Sequence, residues 1–586
     1  MTELTGQNPI SLKVAAQSCG ASDRVRSHIQ RAIAANGAAA ILIALWLAWA
    51  IYGIHLGAVN SFETGVYVNG GARLLQGQHV YTDFFSIYGP LTYYPFALTQ
   101  LFTSNPHVSS QIVFISFALL DAILAYFVAR GITSNRWLQL LVIASSLTYS
   151  GGGFRLPLAL AAVLCVMKYA KGGGLRPLTA AGGFAAANLA IQQDMAAYVL
   201  AAVGFSAIVI TLARLPRQDN ILSATVSRCL PPAGAIFCGF VAVAGVFMAW
   251  LASLGSATAY IHDAFVLPLK YYDTLHMGTI PRPWATPTLP PGVVSMWARF
   301  GIDGLTRWFF YTLPFYWVPG VCAGTALTAT FVLLRKKLSS SDVTWWGGML
   351  MIAILGLCMS RSILKTGDEI KLKVNSLPAA ILVVGISGRL MHGHSVDQNH
   401  AQTPQKSLWP GARFAVVLAA ILGIFEFYPL LQSEIKGRLH PAASMQTSAA
   451  LDGITALDIQ RCGNADIARV ALYLRSQSAS GRLYCVPCVP ILYVITGMNN
   501  ATAYDYLDPI IAPEVCAPLV KQLRDVAPEY VVVYDGLRFW DQYEFGKEFG
   551  VDVAAYISEH YTDVYKSGNY RVLRLKPEML TSAVSK

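Results

Sequence analysis

The stretch "SFETGVYVNGGARLLQGQHVYTDFFSIYGPLTYYPF", Ser61 to Phe96, holds Glu63, Arg73, Tyr81 and Asp83 directly after an apolar run. A chain leaving a membrane has no structural need of such a set. A reaction at the membrane surface has. A carboxylate half-buried at that boundary has its pKa raised by desolvation or lowered by a neighbouring cation, and either shift makes it a candidate general base. Further acids stand in comparable settings: Asp194 in "NLAIQQDMAAYVL", at a tight junction between apolar runs, and Asp263 in "AYIHDAFVLPLKYYD". Cations accompany them. Arg155 in "GGGFRLPLAL" and Arg361 in "LCMSRSILK" sit at the ends of apolar runs; Lys365 follows Arg361 closely and Lys270 follows Asp263. A guanidinium at a span end can hold a phosphate through two parallel hydrogen bonds. For any one of these cations a solvated loop charge is an equally good reading. Asp121, in mid-run "FALLDAILAYF", must be paired or line a cavity.

The elements that position these groups follow from composition. Of 586 residues 54% are hydrophobic and 13% charged, and the mean hydropathy is +0.47. Runs of roughly 20 residues almost free of charge match the length needed to cross hydrocarbon. They predict spans near 37–59, 108–130, 137–150, 154–170, 178–191, 195–213, 231–253, 309–334, 344–359, 374–390 and 412–432. Those at 137–150 and 178–191 are short enough to be half-spans. The predicted fold class is an all-α polytopic membrane bundle of about eleven transmembrane helices with a C-terminal α/β domain. With residues 1–36 in the cytoplasm, nearly every loop on that side is basic, as the positive-inside bias requires. The net charge of +11 then follows from topology, and no nucleic-acid partner is expected. The same orientation puts the first loop (60–107), the long loop 254–308, and all the boundary acids and cations named above outside, with residues 37–432 as the membrane domain.

From about residue 433 the chain turns polar. "ADIARVALYLRSQS" and "EFGVDVAAYISEHY" have helical period; "RLYCVPCVPILYVITG", "YVVVYD" and "YRVLRLK" read as strands. A small α/β domain over 433–586, periplasmic in a bacterium, is expected. It contains Cys462, Cys485, Cys488 and Cys516, candidates for two structural disulfides in an oxidising compartment. A redox or zinc role for "CVPC" ranks lower.

"NSFETGVYVNGGARLLQGQHVYTDFFSIYGPLTYYPF" resembles the first outer loop of the C-type glycosyltransferase superfamily, within it the family of protein O-mannosyltransferases, the lipid A aminoarabinose transferase and lipopolysaccharide-core transferases. The matching pieces are Glu63, "GARLLQG" at 71–77, "VYTDF" at 80–84 and "YGPLTYY" at 88–94. Relatives often carry an Asp or Asp-Glu pair where this chain has Phe62–Glu63, so a metal role becomes less expected, and no cofactor is implied. The family's Arg-x-Asp-x-x-His pattern is reduced here to Arg361 and Pro378, without the His. The resemblance implies a polyprenyl-phosphate sugar donor, a lipid, glycan or protein acceptor, membrane lipids around the bundle, and inverting transfer. In that scheme Glu63 is the base, Asp194 orients it or the acceptor, and Arg155 and Arg361 hold the donor phosphate, with Lys270 or Lys365 in reserve. Asp83, Tyr81, Arg73 and Asp263 shape the loop or touch sugar or acceptor, the Arg73 helix lying in the interface. The alternatives are a transporter or flippase of a lipid-linked or anionic solute, and an assembly protein whose outer domain binds a partner.

Overall fold

The computed structural model describes residues 36–52, 54, 60–149, 154–214, 221–272, 275, 313–335, 338–366, 372, 375–392, 455–477, 481–539 and 542–578. The basic N-terminal segment, the glycine run 151–153, most of the long loop with Arg282, Arg299 and Arg307, the pair Asp368–Glu369, the polar linker after residue 392 and the expected last span lie outside these residues.

The first apolar helix, α1, is Asn36–Tyr52. From Tyr52 onward the chain forms one compact unit. Two helices of its first loop, α2 (Glu63–Leu75) and α3 (Tyr94–Gln100), lead into α4 (Pro106–Ile132), α5 (Arg136–Tyr149), α6 (Pro157–Ala170), α7 (Arg176–Ala187), α8 (Gln193–Ala213) and α9 (Ile221–Ser253). Short α10 (Ala257–Ile261) and α11 (Leu267–Tyr271) flank one π-turn, and α12 (Pro314–Arg335), α13 (Ser340–Thr366) and α14 (Leu377–His392) follow. Among the described residues five helices are long and apolar enough to cross a membrane: α4, the Val226–Ser253 part of α9, α8, α12 and α13 through Lys365. The chain is an integral membrane protein. Helix α7 has 12 residues and α5 has 14; at about 1.5 Å rise per residue neither reaches across some 30 Å of hydrocarbon.

Local chemistry sets the boundaries. Pro106 opens α4 where its missing N–H costs nothing, and the Asn105 side chain accepts from the backbone N–H groups of His107 and Val108 at 3.0 and 3.4 Å. Pro157 opens α6 in the same way. The membrane core is built of small residues on α6, α7 and α8, among them Ala159, Ala162, Ala181, Ala185 and Ala202, all fully buried. Asp121 is buried on α4, and among the described residues neither carboxylate oxygen has a hydrogen-bond partner, so the paired alternative is not met there.

The C-terminal region is an α/β layer. Its sheet has the order β2-β1-β3-β5-β4, with β1 (Arg482–Val486) parallel to β2 (Asn499–Asn500) and β3 (Tyr530–Tyr534), and β5 (Tyr570–Leu575) antiparallel to β3 and β4 (Tyr561–Ser567). The expected long strand in "RLYCVPCVPILYVITG" stops at Val486, and Ile491–Thr496 is helical. Strand alternation sends Leu483 and Cys485 into one core and Tyr484 and Val486 into the other.

Candidate functional site

The site begins at the N-terminus of α2. The Asn60 carboxamide oxygen accepts from the backbone N–H groups of Phe62 and Glu63 at 3.0 and 3.2 Å, and Glu63 falls in the first helical turn, where the dipole favours a carboxylate. Its side chain is exposed and makes no hydrogen bond or ion pair among the described residues. One turn on, Tyr67 stacks on Phe96 (centroids 5.6 Å, interplanar 14°) and meets Tyr88 at 5.4 Å and Phe154 at 5.5 Å. Phe154 is the residue before Arg155.

The loop is seated by close backbone contacts. A Cβ on Gly70 would come within 2.2 Å of the Tyr93 ring, so α2 and the Tyr93–Phe96 segment pack without a gap. At Gly89 a Cβ would stand 2.2 Å from the Ala190 carbonyl carbon. The Gly89 N–H and the Thr92 hydroxyl donate to the Ile191 carbonyl at 2.9 and 3.0 Å. Gln193 returns the contact, its amide donating to the carbonyls of Ile87 and Ala264 at 2.8 and 2.7 Å. The "YGP" turn is thereby fastened to the α7–α8 junction that carries Asp194.

There, Asp194 Oδ2 stands 3.8 Å from Arg155 Nη1, while its Oδ1 accepts from the Met195 N–H at 2.9 Å. Asp194, Arg155 and Arg361 all act electrostatically on the Tyr198 hydroxyl. On the loop side, burial and then the Glu63 carboxylate push the Tyr88 hydroxyl up to about 12, against the Tyr67 hydrogen bond and Arg155. Tyr88 is therefore a neutral hydrogen-bond donor near neutral pH. Asp508 also acts on it; burial lifts that carboxyl to about 6 although the N–H groups of Ile510 and Ile511 donate to it at 2.9 and 3.0 Å. Glu63, Arg155, Asp194 and Arg361 are thus brought into one neighbourhood around two tyrosines.

The other sequence candidates lie elsewhere. Arg73 is not an interfacial cation: it is buried, its Nη1 is 2.6 Å from Asp505 Oδ1, its Nε donates to Gln78 Oε1 at 2.6 Å, and it sits over the Phe84 ring at 4.7 Å. Much of α2 is buried with it. Asp83 shapes the loop, its Oδ2 accepting from the His79 N–H at 2.7 Å and its carbonyl from Arg73 at 3.0 Å. Tyr81 takes a positive φ of 70°, its N–H bonds the Phe84 carbonyl at 2.7 Å and its hydroxyl donates to the Tyr88 carbonyl. Asp263 pairs with His262 at 2.9 Å, and burial raises its pKa. Lys270 forms an ion pair with Glu514 at 2.5 Å. Lys365 lies one turn beyond Arg361 on α13, half-buried.

The four cysteines expected to form disulfides are free thiols. Cys462 and Cys485 belong to one core of the sheet, Cys488 and Cys516 to the other. Burial raises all four, Cys462 to about 12 and Cys516 to about 11, which makes them poor nucleophiles. No cluster of three or more His, Cys, Asp or Glu able to hold a metal occurs among the described residues.

Sequence reasoning missed Tyr67, Tyr88, Asp505 and Asp508. The signal available was the density of aromatic and acidic residues in "TAYDYLDP", 502–509, within an otherwise plain polar region. That segment meets the first loop directly: the Phe85 N–H donates to the Ala503 carbonyl at 2.9 Å, and Phe62 packs edge-on to Tyr506 at 6.4 Å.

No family model matches the sequence, and no curated protein matches it. Among solved structures the chain is similar to the crystal structure of ArnT from Cupriavidus metallidurans bound to undecaprenyl phosphate, at 12% identity and a TM-score of 0.48, over 93% of this chain and 99% of that one.

Proposed function

We propose that the protein is a glycosyltransferase that moves a monosaccharide from a polyprenyl-phosphate donor to an acceptor hydroxyl at the outer face of the membrane. The observation that carries this reading is the gathering of an unpaired, exposed carboxylate (Glu63) with two guanidiniums (Arg155, Arg361) and a second carboxylate (Asp194) around Tyr88 and Tyr198. The motif resemblance of the first loop supports it independently.

In this reading the acceptor oxygen attacks the anomeric carbon in a single displacement with inversion. Glu63 takes the acceptor proton as the C–O bond forms. The bond from the anomeric carbon to the phosphate oxygen breaks, and the electron pair leaves with the polyprenyl phosphate. Arg155 and Arg361 stabilise the charge that develops there. Asp194 holds Arg155 and orients the acceptor side. Tyr88, a neutral hydroxyl beside Glu63, donates to the sugar or to the carboxylate. The orientation that suits the chemistry is the one the basic loops favour, with α2 and the C-terminal α/β region periplasmic in a bacterial inner membrane.

The test is a pair of measurements. Surface glycans and glycolipids of a deletion strain are compared by mass, and loss of one sugar names donor and acceptor. Complementation with Glu63→Gln is then expected to leave that sugar missing while membrane levels of the protein stay normal. Restored glycan in that strain removes Glu63 from the mechanism.

A further inference from the structure

On the far side of α2 a cleft of about 330 Å³ opens against the α/β layer. Asn69 lies two residues beyond Tyr67, about 200° round the helix, so this cleft and the Glu63 site occupy different faces. Its polar lining is rich in amides: Asn69, Gln76, Gln78, Gln100, Asn499 and Asn500. The single charge on the lining, Arg73, is neutralised by Asp505. Several amides have one end fixed and the other available. Gln78 accepts from Arg73 through its oxygen at 2.6 Å, leaving its NH2. Gln100 donates to the Val68 carbonyl at 2.8 Å, leaving its oxygen. The Asn69 side chain, 3% exposed, has an amide nitrogen with no hydrogen-bond partner among the described residues. A buried donor left unsatisfied is costly, so a ligand that accepts from it recovers that loss. Leu75 and Val494 add apolar surface beside the amides.

A cleft of pre-oriented amide donors and acceptors whose one charge is already paired, with small apolar patches, matches a ligand dense in hydroxyls and without charge. We infer that this cleft binds uncharged sugar residues of a glycan, separately from the lipid-phosphate site around Glu63. Its floor includes Thr103, Ser104 and Pro106, where α4 enters the bundle, and the neighbouring Leu98, Leu101 and Phe102 are exposed. A glycan arriving free and one carried on a lipid are both admitted there by the same hydroxyl chemistry.

The experiment uses the full-length protein in nanodiscs and a panel of unsubstituted gluco-, manno- and galacto-oligosaccharides, read by saturation-transfer NMR and titration. At least one member is expected to bind, and Gln76→Trp, which fills the cleft from its exposed rim, is expected to abolish binding. Asn69→Leu is expected to weaken it about tenfold, equivalent to ~1.4 kcal/mol, without lowering the melting temperature, because it removes an unsatisfied buried group. The same glycan on a lipid carrier binding more tightly than the free form identifies a membrane-held ligand; equal affinity identifies a soluble one. Glu63→Gln is expected to bind the glycan as the wild type does, so loss of the transferase reading and loss of this one are separable. Absence of binding across the panel, binding that survives Gln76→Trp, displacement by undecaprenyl phosphate, or preferential binding of an uncharged Gly/Ser hexapeptide each overturns the inference.

Discussion

Two arginine–carboxylate pairs flank the first loop, and they are built for opposite purposes. Arg73 and Asp505 meet at 2.6 Å with side chains 7% and 4% exposed. Arg155 and Asp194 stand at 3.8 Å with side chains 15% and 40% exposed. The first guanidinium is also satisfied by Gln78, by the Asp83 carbonyl and by the Phe84 face. The second has an incomplete partner and a neighbourhood containing Glu63, Tyr88 and Tyr198. A sealed pair joins two parts of a chain; a loose one leaves hydrogen-bonding capacity for an anion that comes and goes. The contrast fits the ligand-binding role proposed for Arg155, whereas Arg73 docks the loop on the α/β layer through Asp505.

The largest effect is expected on the sealed side. Asp505→Ala strands a buried guanidinium and is expected to cost ~3–5 kcal/mol, read as a lower melting temperature and as new proteolysis within residues 70–105. The double variant Arg73→Met with Asp505→Leu removes both charges and is expected to recover much of that loss. Equal damage in single and double variants would mean the pair does more than neutralise itself.

On the open side the order reverses. Arg155→Ala is expected to reduce transfer about 10²–10³-fold, the usual effect of deleting one donor that stabilises developing charge, while stability changes by about 1 kcal/mol or less. Removing Asp194 as well is expected to restore nothing. A large drop in melting temperature with transfer intact would make the two pairs alike and end the distinction drawn between them.

Asp508 gives the comparison a pH axis. Its folded pKa of about 6 lies above the ordinary 3.8 because burial outweighs the hydrogen bonds from Ile510 and Ile511. The folded state then holds its proton more tightly than the unfolded chain. This group's contribution to stability is fully present below about 3.8 and is lost as pH rises through about 6. Asp508→Asn keeps a side-chain acceptor for the two N–H groups and cannot titrate. It is expected to flatten the fall in melting temperature between pH 4 and 7; an unchanged profile would mean that another group controls it.

How much of this was legible beforehand divides along the same line. Helical spans such as α4 and α8 follow from apolar length alone, since hydrocarbon demands it. The place of Glu63 at the start of α2 and the "YGP" turn follow from a local pattern, whereas the chemical role proposed for Glu63 rests on the resemblance. Arg73 and Arg155 look alike in sequence, each a lone cation beside apolar residues. What separates them is Asp505, 432 positions from Arg73, and no local pattern encodes that distance. The same holds for the cysteines. Their spacing permits disulfides, but β1 puts Cys485 in one core while Cys488, just past its end, enters the other. The helix Ile491–Thr496 was hidden by its β-branched and aromatic residues, whose strand preference is overridden by packing against α2.

Lys270 supplies the smallest expected effect. As an exposed cation it is a natural further candidate for the donor phosphate, and sequence alone holds it in reserve behind Arg155 and Arg361. In the structure its ammonium is held by Glu514, an exposed partner on the α/β layer, and lies over the Tyr271 ring at 4.9 Å. That hydrogen bond raises its pKa, so it stays charged through neutral pH but is turned toward the carboxylate. Lys270→Ala is accordingly expected to leave donor affinity within about twofold of wild type, less than half a kcal/mol, and to leave the transfer rate unchanged. Glu514→Ala is the sharper variant, because it releases the ammonium without deleting it. If donor affinity rises in Glu514→Ala and falls tenfold in Lys270→Ala, the lysine belongs with Arg155 on the open side, and the ion pair is a gate on the donor site rather than a tie between segments.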